Sequence, residues 1–205
     1  MINIQPHLEN DLIRLEPLKS SDFEEVYAAA SDPKIWEQHP NKNRWKRDVF
    51  MIFFEGAIQS KGAFKVIDKQ SNLVVGSTRF YDYDEKDVSI LIGYTFYSTN
   101  CWGKGYNPSV KKMMFDYIFQ FVDKVYLHVG AENKRSQVAV ERLGCRKVKT
   151  EEITYFGEEP KLNFIYQLDK DEWFKWFLDH ITIRQENSSV FFLKKNNIYD
   201  YCFFN

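Results

Sequence analysis

Between residues 93 and 121 the chain runs from an apolar segment, through a loop with two glycines, into its clearest amphipathic helix, and this order limits the fold more than any other feature. Gly93-Tyr94-Thr95-Phe96-Tyr97 reads as the end of a strand, followed by Ser98 to Cys101 and then Trp102-Gly103-Lys104-Gly105-Tyr106-Asn107-Pro108. From Val110 the apolar set Val110, Met113, Met114, Tyr117, Ile118 and Phe121 steps by three and four, as in a helix with one face on a core. Glycines in such a loop let backbone N–H groups converge on an anion, and the helix start adds about half a positive charge. A diphosphate can sit there without an arginine cluster, with Lys104, Lys111 and Lys112 available to supplement it. The loop is not a Walker motif, which needs Gly-Lys-Ser/Thr after four spacers, and it lacks the third glycine of the Rossmann fingerprint. The alternative is a plain tight turn with Asn107 capping the helix and Pro108 at its first position.

The rest of the chain supplies a sheet for this unit. Leu12 to Leu18 reads as a first strand, and Ser21-Asp22-Phe23-Glu24 matches a capping box opening a helix over 22–30. A short turn carries Trp36 between Asp32-Pro33 and His39-Pro40, and Asp48 to Gln59 reads as a second helix. Ala63 to Asp68, Leu73 to Tyr83 and Val88 to Tyr97 are spaced as an antiparallel meander. After the amphipathic helix come a strand (Val125 to Val129) and a helical stripe of Ser136, Ala139, Val140 and Leu143 ending at Gly144. Two strands, Lys147 to Tyr155 and Leu162 to Leu168, flank the turn from Phe156 to Pro160, and a helix is expected from Asp169. The segment from Ile181 to Asn205 has no clean periodicity.

At 205 residues this describes one domain, expected over 8–178, with a tail over 179–205. A net charge of −1 provides no global pull toward nucleic acid or an anionic membrane, so neither is an expected partner. Cys101, Cys145 and Cys202 are odd in number and widely spaced, without a pattern that holds zinc; they read as reduced thiols, and no metal is expected. The opening residues lack the apolar run of a signal peptide, so a cytoplasmic location is expected, as a monomer or homodimer.

Several motifs in a fixed order resemble the GNAT superfamily of acyl-CoA-dependent N-acyltransferases, and within it the branch similar to ribosomal-protein N-terminal acetyltransferases. They are Ile92-Gly93-Tyr94, Trp102 to Tyr106, Asn133-Lys134-Arg135-Ser136 and Leu143-Gly144, with Tyr166 and Glu172-Trp173 similar to the closing strand and its exit. The resemblance spans roughly Leu12 to Trp173. It implies a single α/β domain with a mixed, mostly antiparallel central sheet, splayed fourth and fifth strands, and helices on both faces. It implies acetyl-CoA as co-substrate, its pyrophosphate on the backbone of Trp102, Gly103, Lys104, Gly105, Tyr106 and Asn107. The pantetheine arm would pair with the backbone of Thr95, Phe96 and Tyr97. Asn133 and Ser136 would contact coenzyme A, Ser136 would protonate the departing thiolate, and an amide near Tyr94 or Thr95 would stabilise the oxyanion.

Two departures stand out. The carboxylate that many relatives carry just before Ile-Gly-Tyr is Leu91 here, leaving His128, Asp82, Glu37, His39 or a water chain as the base. Asn107-Pro108 stands where many relatives carry a small Ala or Gly and no proline, and Pro108 removes one donor. The acceptor, a small-molecule amine or a protein N-terminal amine, would meet Trp36, His39, Trp45, Phe54, Tyr81, Asp82, His128 and Tyr155. The rival reading is a non-catalytic acyl-CoA-binding or sensing module, favoured by Leu91.

Overall fold

The β-branched and aromatic runs pair side by side into one eight-stranded sheet, seen in a computed structural model that describes residues 2–175. In chain order the elements are β1 (Leu8–Glu9), β2 (Ile13–Pro17), α1 (Phe23–Ala30), α2 (Arg47–Gln59), β3 (Ala63–Asp68), β4 (Val74–Asp84) and β5 (Ser89–Tyr97). There follow α3 (Tyr106–Ile118), β6 (Lys124–Gly130), α4 (Lys134–Glu141), β7 (Arg146–Ile153) and β8 (Lys161–Asp169), with helix again from 170 to 175. The strand order is β1-β2-β3-β4-β5-β6-β8-β7, and only β5 with β6 is parallel. A parallel neighbour needs a crossover, and the glycine loop with α3 is that crossover. The splayed pair of the expected fold is β5 and β6, because the two-residue β1 adds a strand too short to carry a period.

β5 and β6 pair only at Ser89–Lys124, Ile90–Val125 and Leu91–Tyr126. Beyond Leu91 they part, and the cause lies on the other edge of β5. Ser77 faces Phe96 and Arg79 faces Gly93, so Tyr94 and Thr95 together oppose Thr78 alone. This bulge, with Tyr94 at φ +52°, bends β5 away from β6 while β6 stays paired to β8 through Gly130.

Side chains alternate between two cores. On one face Phe64, Val66, Phe80, Ile90 and Ile92 lie under α3, which buries Val110, Met114, Phe115 and Ile118. On the other, α1 and α2 bury Val26, Ala30, Phe50, Phe53 and Phe54 with Trp36 and Phe96. Each buried Val, Ile, Met or Phe among them contributes about 1.5–3 kcal/mol of transfer free energy. Among the described residues no helix is long and apolar enough to cross a membrane, and no cluster of three His, Cys, Asp or Glu side chains is placed to hold a metal ion.

Local chemistry corrects some expected boundaries. The helix after the loop starts at Tyr106 with Gly105 as its N-cap at φ +80°, so Asn107 is not the cap and Pro108 is the third helical residue. A first-turn N–H has no intrahelical acceptor, so the proline forfeits no helix hydrogen bond there. The capping box from Ser21 does not form: Asp22 turns back to accept from the Lys19 N–H at 2.8 Å, and α1 begins at Phe23. Gly144 does end the α4 segment, at φ +86°, with the Cys145 N–H donating to Val140 O at 3.2 Å. The expected tail, 179–205, lies outside the described residues.

Lys111 is the unexpected member of the core. It does not reach toward the loop as a phosphate ligand; it is 3% exposed, and its Nζ donates to Thr95 Oγ1 at 2.7 Å and Thr78 Oγ1 at 3.3 Å. Burial pulls its pKa from 10.5 down to about 7, and no carboxylate among the described residues pairs with it. Between those values the unfolded chain holds a proton that the folded chain has shed, so stability should climb from pH 7 to pH 10; below pH 7 both hold it and the climb stops. Lys111→Met leaves the Thr78–Thr95 hydroxyl pair (2.8 Å) and should raise the unfolding free energy at pH 7 by about 1–3 kcal/mol while shrinking that climb. Urea unfolding of both proteins at the two pH values measures each effect.

Candidate active site

The divergence of β5 from β6 opens a cleft of about 1020 Å³, walled by β5 beyond Ile92, the loop into α3, β6 from Leu127 to Gly130 and the start of α4. Sequence and fold converge here, because the bulged strand, the glycine loop and two helix starts all border one space.

At the loop end, Gly103 and Gly105 sit at φ +73° and +80°, and a Cβ on either would meet no protein atom within 4 Å. A side chain there would be strained and would project into open space. The N–H groups of Trp102 and Lys104 are used in the turn, at 3.2 Å to Thr99 O and 3.3 Å to Cys101 O. Among the described residues no hydrogen bond engages the N–H groups of Gly103, Gly105, Tyr106 and Asn107. The six-residue cradle expected from the sequence thus reduces to four open amides. Lys104 is exposed and outside the cleft lining.

Side chains hold this loop in place. Tyr106 Oη donates to Asp68 Oδ1 at 2.8 Å, Tyr97 Oη to Asn107 Oδ1 at 3.4 Å, and Trp102 Nε1 to Tyr97 O at 3.2 Å. Asp68 raises the Tyr106 phenol to about 12, so this bond keeps its proton. Arg135 of α4 stacks over Trp102 at 4.2 Å and donates to Ile35 O at 2.8 Å, joining the two sides of the cleft mouth. Asn133 is the cap of α4, its Oδ1 accepting from the Ser136 N–H at 3.1 Å. The Ser136 hydroxyl has no protein partner among the described residues and lines the cleft.

The other end is aromatic. Tyr94 packs edge to face with Tyr81 at 5.0 Å and Tyr155 at 5.4 Å, with Trp36 nearby in the lining. Behind Tyr94, Arg79 stacks on its ring at 3.7 Å and donates to Gly56 O (3.0 Å) and Phe53 O (3.4 Å) at the end of α2. Burial lowers Arg79 to about 10, still a cation at neutral pH. Arg44 donates from Nε and Nη2 to Glu158 Oε1 at 2.9 and 2.7 Å, and from Nη1 to His39 Nε2 at 3.1 Å. An arginine cannot accept, so His39 Nε2 lies against a donor, and Nδ1 lies against the Asn41 N–H at 2.9 Å and Asn41 O at 3.3 Å. Burial, then the Arg44 charge, holds His39 far below its ordinary value; it is neutral, with both ring nitrogens engaged.

Of the acceptor residues read from the sequence, Trp36, His39, Tyr81, His128 and Tyr155 line the cleft. Asp82 does not: it is exposed at φ +50° in an irregular stretch of β4, outside the lining. Glu37 is likewise exposed, and Trp45 and Phe54 belong to the α1–α2 core. Cys101 and Cys145 are buried with raised pKa values, Cys145 to about 12, so neither is a thiolate. Sequence reasoning missed Arg44 and Glu158, which stand in polar stretches where a charge normally faces water, and Arg79, a charge inside the buried run of β4.

The GNAT acetyltransferase domain profile matches residues 13–146, more than half of the chain. The chain belongs to the GNAT acetyltransferase family and is an acyltransferase. Its fold is similar to a GCN5-related N-acetyltransferase from Brucella melitensis, with TM-score 0.72 and 21% identity over 82% of this chain and 80% of that one. It is also similar to spermidine N-acetyltransferase from Vibrio cholerae in complex with CoA and spermine (TM-score 0.61, 17% identity, 80% and 99% covered). A Vibrio cholerae structure assigned as a ribosomal-protein-serine acetyltransferase aligns at TM-score 0.64 with 14% identity, covering 82% and 99%. Identities this low show a shared fold.

The Arg44–Glu158 pair ties the segment before α2 to the β7–β8 turn, with side chains 3% and 11% exposed. Removing one partner strands a buried charge, so Glu158→Ala should destabilise the fold by about 3 kcal/mol, and Glu158→Gln by less. Chemical denaturation of the three proteins measures the difference.

Proposed function

We propose that this protein transfers the acetyl group of acetyl-CoA directly to a primary amine, with the α-amino group of a peptide favoured over a polyamine. The four open N–H groups at the start of α3, beside an unpaired strand edge, carry this reading. They suit a diphosphate whose attached arm continues along β5. Gly103, Gly105, Tyr106 and Asn107 would hold the diphosphate, while Thr95, Phe96 and Tyr97 present backbone to the arm. Acetyl-CoA supplies an activated acyl carbon. An amide at the Tyr94–Thr95 bulge would face the oxygen where charge develops, and Ser136 would give a proton to sulfur. The CoA bound by the spermidine acetyltransferase relative supports the choice of donor. Reduced Cys101 and Cys145 suit a cytoplasmic setting.

The acceptor preference rests on charge. No Asp or Glu lines the cleft among the described residues, whereas Lys134, Arg135 and Arg142 do, beside Arg44, whose charge Glu158 balances. A polyamine would bring further ammonium groups with no carboxylate to receive them. An α-amino group, with a pKa of about 7.7–8.0, is also neutral in about a third of molecules at pH 7.5, against roughly one in a thousand for an alkylamine near 10.4.

The test is release of CoA from acetyl-CoA with a short free-N-terminal peptide and, separately, with spermidine. The peptide should turn over faster. Gly105→Val should weaken acetyl-CoA binding at least tenfold by calorimetry, because a side chain there blocks backbone approach. Tight binding without turnover of either acceptor would instead favour the acyl-CoA-binding module.

A further inference from the structure

The transfer reaction just proposed must place the proton that the amine nitrogen sheds as it bonds to the acyl carbon. We propose that His128 of β6 accepts this proton and passes it to solvent through a separate hollow behind the strand. The inference rests on the transferase reading and adds the missing base.

Three rivals fail on geometry. His39 has its lone pair tied to Arg44 Nη1 at 3.1 Å, and Asp82 and Glu37 are exposed and outside the cleft lining. His128 is placed differently. The last β5–β6 pair is Leu91–Tyr126, so His128 stands two residues further on, at the throat where the strands part and on the Tyr126 face. It lines the main cleft, and it also lines a hollow of about 400 Å³ bounded by Leu91, Tyr126, Lys149, Glu151 and Gln167. Among the described residues no other lines both, so His128 stands between the two spaces.

The ring is also unengaged. Its Nδ1 is buried without a hydrogen-bond partner, and no bond to Nε2 occurs among the described residues. Whichever nitrogen carries the proton, the other keeps a lone pair that no protein donor claims. Leaving a buried polar atom unpaired is unfavourable, and in a cleft wall it marks a place where a substrate or water supplies the partner.

Burial holds the ring below the ordinary histidine value, opposed by Asp82 of β4 and Glu151 of β7. Lys149 of β7 and Tyr126 of β6 share the hollow, and β8 presents apolar Ile165 opposite. His128 is therefore neutral at pH 7 and ready to accept. It is too weak a base to strip a free ammonium. It acts once the amine lone pair has gone into the new bond, which makes the remaining N–H far more acidic. The balance is then complete: the nitrogen–carbon bond forms and the carbon–sulfur bond breaks. The nitrogen proton passes to His128, and the thiolate takes the Ser136 proton. Water removes one proton from His128 and restores one to Ser136.

The test compares His128→Gln and His128→Asn with the native protein, using acetyl-CoA and the short peptide. Both variants should lose about 100-fold or more in kcat/KM at pH 7, keep acetyl-CoA affinity within twofold by calorimetry, and recover in part toward pH 9 as solvent replaces the base. Nitrogen NMR of the ring, simplified by a chain with four histidines, should find His128 uncharged at pH 7. An active native protein whose variants keep its rate and pH profile would overturn the proposal alone. So would equal loss of acetyl-CoA binding and activity, or a charged His128 at pH 7. A native protein that releases no CoA with either acceptor would overturn the transferase reading first.

Discussion

The site depends on one irregularity in one strand. Two residues of β5, Tyr94 and Thr95, face a single residue of β4, and the strand bends there. Without the bend β5 would continue its parallel ladder along β6, and its edge groups would be satisfied by protein. With it, pairing stops at Leu91 and an edge is left for something else to satisfy. The same residues supply both walls of the resulting space: Thr95 faces α3 and Lys111, while Tyr94 turns toward Tyr81 and Tyr155.

A positive φ at tyrosine is unfavourable, and the surroundings hold it there. Arg79 stacks on the Tyr94 ring and anchors itself on carbonyls at the end of α2, where a cation also complements the helix dipole. α2 in turn packs its phenylalanines against Phe96, two residues along β5. The aromatic abundance of the chain thus fixes the bulge from one side, and the Thr78–Thr95–Lys111 bonds fix it from the other. Both cores thus close on the site.

Periodicity and turn chemistry made most of this architecture legible. The stripe from Val110 announced α3, the β-branched run Val125 to Val129 announced β6, and ordered motifs joined them to the glycine loop. What stayed illegible has a common physical origin. Arg44, Glu158, Arg79 and Lys111 look solvated by composition, and only tertiary contacts between distant segments bury them. The Asn107 cap failed for a local reason: glycine at position 105 can take a left-handed conformation, so the helix begins two residues earlier than side-chain capping rules suggest. Asn133 and Ser136 were legible as a pair, but only the backbone geometry assigned the cap to Asn133 and left the hydroxyl of Ser136 open.

Three of the basic side chains bordering the cleft illustrate how one physical cause yields different outcomes. Burial disfavours the charged form of Lys111, His39 and His128 alike. Lys111 is pinned by two threonine hydroxyls beneath the strand, and its contribution is to the position of Thr95. His39 is pinned by a guanidinium that takes its lone pair, and its contribution is to the Arg44–Glu158 wall. Only His128 is neutral and unclaimed, and it stands where the strands begin to part. Desolvation alone therefore does not select a proton acceptor; the hydrogen-bond partners do, and they leave one.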